Sequence, residues 1–316
     1  MLLELAQRAP IQRVDWPAWE ARGVEVAIWR LDRLDAAAPG NKLFKLAENL
    51  QSARRQGHTR ILSFGGAFSN HIHALALTGR AAGFETVGII RGESPARLSP
   101  TLRDALEAGM RLHFVARDHY RRLTQNGYEN IELREFLQRF EPCYTVPEGG
   151  ANRLGVSGCR VLGEAVGQLA ERPDQVVLPT ATGTTLAGVV AGLAGRCHTL
   201  GIAVLKDGSF IARQVLEQLR AIGADHCREW RVDTDHHGGG YARATAALRR
   251  FVAEFSERTA VAVEPVYSGK MLYAVDRLIA RGEFARGTRI LAAHTGGMQG
   301  ARGAEFLAGT KYDADE

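Results

Sequence analysis

The sequence predicts an α/β fold with two units, each a largely parallel sheet flanked by helices. Three observations carry this. Short apolar, β-branched runs alternate with Ala- and Leu-rich segments of helical length along the whole chain. The runs are apolar throughout, as strands covered on both faces must be. The pattern fills both halves of a 316-residue chain, and at about 150 residues per domain that length accommodates two units.

In the first half, strands are expected at 24–29, 60–66 (RILSFGG), 85–92, 111–117 and 142–150. In the second half they are expected at 174–183, 201–208, 261–267 (VAVEPVY) and 289–297. The segments 70–83 and 184–195 read as helices rich in small and apolar residues.

Composition narrows the function. Lys and Arg exceed Asp and Glu by 40 − 35 = 5, and the arginines are scattered, with no basic stripe interleaved with aromatics. Nucleic-acid binding is therefore not expected. The four cysteines, Cys143, Cys159, Cys197 and Cys227, form no CxxC pair. They read as reduced thiols, with no zinc site and a cytoplasmic setting. The start of the chain carries no cleavage signature, and no run approaches about 18 apolar residues, so no membrane span is expected. The cluster DTDHHGGGYARAT (233–245) offers either a histidine pair for a metal or a glycine-rich loop presenting Tyr241. Adjacent histidines point apart on most backbones, so the loop is preferred.

The chemistry gathers at glycine-rich turns that follow strands, where open parallel sheets bind ligands. In VVLPTATGTTLAGVVAGL, Thr182-Gly183-Thr184-Thr185 opens a small-residue helix. Free N–H groups and threonine hydroxyls make a phosphate cradle there, although a simple capping turn reads equally well from the turn alone. Neither GK[ST] nor GxGxxG is present, so a nucleotide is not favoured. In SFGGAFSNHIHALA, Ser69 and Asn70 either cap a helix or receive an anion. PVYSGK (265–270) and HTGG (294–297) close two further expected strands. The stretch GNKLFKLAENL holds Lys42 and Lys45, both candidates for a reactive amine.

Taken in series from about Gly40 to Gly297, these motifs resemble the pyridoxal-phosphate enzymes of the tryptophan-synthase-β fold type. The similarity is to the group of 1-aminocyclopropane-1-carboxylate deaminases and D-cysteine desulfhydrases. That resemblance implies fold type II, with a small unit at 43–150 and a large cofactor-binding unit made of 1–42 and 151–316. It implies that Lys42 holds pyridoxal 5'-phosphate covalently, with Lys45 in a supporting role. Thr182, Gly183, Thr184 and Thr185 would take the phosphate. Ser69, Asn70 and His71 would meet the substrate, Asn70 also touching the cofactor. Tyr241 and Tyr267 would face cofactor and substrate, and Thr295 would partner the pyridine nitrogen. The resemblance also implies a small amino-acid substrate and a homodimer.

Departures shape the expected reaction. The deaminase branch has Glu after the PVY tyrosine and Leu in the H-x-GG slot; here Ser268 and Thr295 stand instead, as in the desulfhydrase branch. Phe68 precedes Ser69 where Gln is usual. A hydroxyl beside the ring nitrogen leaves that ring largely neutral, which suits β-elimination. D-Cysteine desulfhydration to pyruvate, ammonia and sulfide is the resulting expectation. Aminocyclopropane carboxylate deamination, another elimination or racemisation, and a non-catalytic binding role stay open from the sequence.

Overall fold

A computed structural model describes residues 2–34, 40–125, 130–298 and Arg302; Pro39, which precedes the GNK motif, lies outside them. Among the described residues, ten strands form two sheets. They are β1 (Ile11–Val14), β2 (Glu25–Trp29), β3 (Arg60–Gly66), β4 (Glu85–Arg91), β5 (Arg111–Val115), β6 (Tyr144–Val146), β7 (Gln175–Thr180), β8 (His198–Ala203), β9 (Trp230–Asp233) and β10 (Arg289–Ala293). The six-stranded sheet has the order β1-β2-β10-β7-β8-β9, and the four-stranded sheet β5-β4-β3-β6. Every pairing is parallel except β1 with β2.

Both sheets are covered on both faces, which is why their strands are apolar throughout. One face of the larger sheet packs Val176, Leu178 and Leu291 against helices at Arg153–Gly167, Thr184–Leu193 and Phe210–Ala221. The other packs Val177, Ile202 and Ile290 against helices at Ala246–Thr259 and Ser268–Ala280. In the smaller sheet, Ile61 and Ile90 face helices at Asn41–Arg55, Asn70–Ala81 and Pro100–Glu107. Leu62 and Ile89 face the opposite side, toward Tyr120 and Phe136.

The helix Thr184–Leu193 is small-residue-rich because it touches its neighbour backbone to backbone. A Cβ on Gly192 would lie 2.0 Å from the Arg160 carbonyl oxygen. One on Gly163 would lie 2.1 Å from that of Val189. Any side chain there would drive the helices apart. This contact fixes the N-terminus of Thr184–Leu193, where the phosphate turn sits.

Several expected strands change. The run 261–267 is not a strand: Pro265 has no N–H to give a ladder, and the Glu264 carboxylate instead accepts from the N–H groups of Val266, Tyr267 and Ser268. The run expected at 201–208 is β8, which begins at His198 and ends at Ala203. From 142–150 only β6 remains, followed by a short turn containing Gly149 and Gly150 at positive φ. Strands β1 and β9, four residues each and partly exposed, fall outside the sequence reading.

Candidate active site

The strand-end turns from both sheets surround one cavity of about 820 Å³. Lys42, the Ser69-Asn70-His71 run, the 182–185 turn, Tyr241, Tyr267 and Thr295 all line it. The residues to which the resemblance gives a cofactor or substrate role therefore border a single cavity.

The phosphate turn follows β7. Gly183 takes left-handed φ of 73°, and a Cβ there would lie 2.7 Å from Val215. The glycine thus lets the chain turn sharply while pressed against its neighbour. Thr182 and Thr184 hydroxyls lie 3.1 Å apart. Gln218 donates to the Thr182 carbonyl at 2.8 Å, which holds the turn. The Thr185 hydroxyl accepts from the Asn41 amide at 2.7 Å, leaving its own hydrogen to donate. Free N–H groups, hydroxyls and the positive helix end therefore converge.

Lys42 reaches the cavity because Gly40 permits a close crossing. Gly40 has φ of 88°, and a Cβ there would lie 2.0 Å from the Thr295 carbonyl oxygen. The Asn41 N–H donates to that same carbonyl at 3.2 Å. The start of helix Asn41–Arg55 is thus fastened to the HTGG turn, setting Lys42 and Thr295 side by side in the fold. The Lys42 ammonium donates to Asn41 Oδ1 at 2.9 Å and lies 5.9 Å from the Tyr267 ring centroid. Burial, then the neighbouring Lys45 charge, lowers its pKa to about 7. Lys45 is engaged differently. It is buried and donates to the Gly149 carbonyl at 3.1 Å, pinning its helix to the turn after β6.

Ser69 caps helix Asn70–Ala81, accepting from the Ile72 N–H at 3.3 Å, and still lines the cavity. The capping reading holds, and the residue borders the cavity as well. Asn70 packs against Gly297, where a Cβ would come within 2.5 Å of its amide nitrogen. His71 is held in one tautomer. Ser63 donates its hydroxyl hydrogen to the Val146 carbonyl at 2.7 Å, so at 2.8 Å it accepts from His71 Nε2–H. Nδ1 is left as a buried acceptor without a protein partner. Burial and the two lysines push the pKa of His71 down to about 3, so the ring is neutral.

Tyr241 and Tyr267 meet edge-on, 6.0 Å apart at 79°. Burial raises the Tyr267 pKa well above its ordinary value, so its hydroxyl stays protonated. Tyr241 follows Gly238, Gly239 and Gly240, all at positive φ. In the same segment His236 pairs with Asp233 at 2.8 Å, and His237 Nδ1 accepts from the Gly239 N–H. The histidines shape the loop. Thr295 faces the cavity, whereas Ser268 is fully buried and lies 3.3 Å from His294 Nδ1.

The sequence reading missed Asn41, Glu264 and Lys270. Lys270 is fully buried and donates to the Val204 and Gly240 carbonyls. Glu264 orders the N–H groups on which Tyr267 stands. Its one local signal is its place directly before Pro265, which biases residue 264 away from the helical region.

The sequence pattern of the family described as "Pyridoxal-phosphate dependent enzyme" matches residues 7–296. The chain belongs to this family. Its cofactor is pyridoxal phosphate. The chain is 27% identical to the bifunctional D-cysteine desulfhydrase/1-aminocyclopropane-1-carboxylate deaminase of Arabidopsis thaliana, over 92% of this chain and 76% of that protein. It is 25% identical to the D-cysteine desulfhydrase of Serratia proteamaculans, over 87% of each. A crystal structure of an ACC deaminase homologue superposes with a TM-score of 0.77 at 23% identity, covering 97% of this chain and 98% of that one, which shows the shared fold.

The cavity of this pyridoxal-phosphate enzyme fits its cofactor. The 182–185 turn suits a phosphate, and the Lys42 amine has a pKa suited to attack on an aldehyde carbon. With a pKa near 7, Lys42 is mostly charged below that pH and mostly neutral above it. In the cofactor-free protein, acylation of Lys42 by an uncharged amine reagent should therefore rise through a midpoint near pH 7, read by peptide mass spectrometry. A midpoint near the ordinary lysine value would refute the depressed pKa.

Proposed function

We propose that the enzyme is a β-eliminating lyase acting on a small amino acid, with D-cysteine as the first substrate to test. The observation that carries this is Thr295, a hydroxyl on the cavity wall tied through the backbone to the helix that bears Lys42. The names of the Arabidopsis and Serratia relatives support it. When bound, pyridoxal phosphate supplies an electron sink for charge developing at the substrate α-carbon.

The chain's own residues do the rest in this reading. The 182–185 turn anchors the phosphate, and Thr295 partners the ring nitrogen. Ser69 and Asn70 orient the substrate carboxylate, with His71 beside them. Lys42, once freed of the cofactor, takes the α-proton at Nζ as general base. Tyr267 or Tyr241, both protonated, gives a proton to the departing thiolate. With water the sum is cysteine going to pyruvate, ammonia and hydrogen sulfide. The same reading places the cavity between a small unit, 43–150, and a large one, 1–42 with 151–316, in a cytoplasmic homodimer. Among the described residues no helix is long and apolar enough to cross a membrane.

A second reading, ring-opening deamination of 1-aminocyclopropane-1-carboxylate, draws on the bifunctional name of the Arabidopsis relative. A panel of D- and L-cysteine, D-serine, β-chloro-D-alanine and aminocyclopropane carboxylate separates the readings. Sulfide and pyruvate are expected in equal amounts from D-cysteine. Turnover of aminocyclopropane carboxylate alone would favour the second reading. A loaded protein with no turnover on any member would leave a binding protein.

A further inference from the structure

The cavity carries more positive charge than the cofactor and a simple amino acid need. Lys42, Lys45, Arg91, Arg117 and Arg121 line it, against Glu148 as the one lining carboxylate among the described residues. The cofactor phosphate has the 182–185 turn, and the substrate carboxylate has Ser69 and Asn70. Neither assignment uses an arginine.

The arginines occupy a defined place. Arg91 is the last residue of β4 and pairs in register with Gly66, the last residue of β3, from which the chain runs to Ser69. Arg91 also pairs with Val115, the last residue of β5, and Arg117 lies two residues beyond it. Neighbouring strands lie about 4.8 Å apart, so the ends of β3, β4 and β5 bring the backbones of Gly66, Arg91 and Val115 side by side at the cavity. The Arg91 guanidinium leans back toward Gly66: a Cβ there would lie 3.3 Å from its Nη2. Glycine at 66 keeps this position open. The Tyr120 ring lies 5.7 Å from the guanidinium carbon and supports it from one side.

Arg91 and Arg117 are both exposed at the cavity rim, and neither guanidinium group has an ion pair or hydrogen bond to a side chain or carbonyl among the described residues. Arg121 pairs with Asp118 at 3.4 Å. Two unpaired guanidinium groups therefore stand on the wall of the same cavity as the place proposed for the substrate carboxylate. Arginine recognises carboxylate, sulfonate and phosphate through paired N–H donors.

We propose that this cavity selects amino acids whose side chain ends in a fixed negative charge, held by Arg91 with Arg117 behind it. This rests on the proposed amino-acid site and narrows its substrate class: D-cysteine carries the right carbon skeleton but lacks a permanent side-chain anion. Aspartate, cysteate and O-phosphoserine are the simplest members of the class, and they separate carboxylate, sulfonate and phosphate.

The test is titration of the cofactor-loaded enzyme with both enantiomers of these three, and of asparagine and 2-aminobutyrate as uncharged counterparts, followed by cofactor absorbance. At least one anionic member should bind about tenfold tighter than its uncharged counterpart, the scale of one charge-assisted hydrogen bond. In Arg91→Gln that ratio should fall toward one, and Arg91→Lys should restore part of it. Equal affinities in the wild type, or a ratio that survives in an Arg91→Gln, Arg117→Gln double variant, would overturn the proposal. Turnover of D-cysteine without any charge preference would overturn this selectivity alone. Absence of a spectral response to every amino acid would overturn the amino-acid site as well.

Discussion

Replacing Lys42 by alanine is expected to remove the visible absorbance of the covalently held cofactor and to lower turnover by about 10²–10⁴-fold, the range for loss of a positioned general base. The fold should survive. Lys42 lies in the first turn of a fifteen-residue helix, and alanine is the best helix former. The substitution also relieves the cost of a desolvated amine whose pKa has fallen to about 7. Borohydride treatment should fix the cofactor to the peptide carrying residue 42 in the wild type and nowhere in Lys42→Ala. Lys45→Met is the informative companion. Its amine is committed to the Gly149 carbonyl, so its loss should weaken the joint between the helix and the turn while cofactor absorbance persists. An unchanged spectrum in Lys42→Ala, or loss of absorbance only in Lys45→Met, would exchange the roles of the two lysines.

The contrast between these lysines shows where sequence stops being enough. GNKLFK presents them three residues apart on the same side of a helix, with nothing local to rank them. The resemblance puts Lys42 first, and contacts between distant segments suit that order: Gly40 crosses the Thr295 carbonyl, and Gly149 arrives beneath Lys45. The turns at 66–71, 182–185 and 294–297 were legible because glycine, threonine, serine and asparagine after an apolar run have few local alternatives. β1 and β9 were not, because a strand of four half-exposed residues has no periodicity to read. The run VAVEPVY failed in the opposite sense. Its β-branched pattern is strong, yet Pro265 and one buried carboxylate turn it into the approach to a helix. Arg91 was invisible for a further reason. At the end of GIIR it looks like any charge closing a strand, and only the parallel pairing with Gly66 brings it to the cavity.

That carboxylate, Glu264, is expected to be the most sensitive polar side chain outside the cavity lining. It is fully buried and accepts hydrogen bonds from Val266, Tyr267 at 2.9 Å and Ser268 at 2.7 Å. Burial pushes its pKa up to about 7, while those N–H donors and the Lys270 charge pull the other way. Glu264→Ala would leave three N–H groups without an acceptor and the buried Lys270 without its countercharge. Breaking such an arrangement costs about 3–5 kcal/mol, to be read as a lowered denaturant midpoint at unchanged slope. Glu264→Gln keeps one acceptor oxygen but turns an amide toward backbone donors, so it should fall between wild type and alanine. Tyr267 supplies a second readout. Its backbone N–H is held by this carboxylate, so loosening it should displace the ring that lies 5.9 Å from the Lys42 amine. The Glu264 charge also raises the Lys42 pKa, so its removal should move the Lys42 acylation midpoint down. A Glu264→Ala protein with wild-type stability and an unmoved Lys42 midpoint would mean that the 264–268 turn is held by packing, and that the carboxylate merely occupies it.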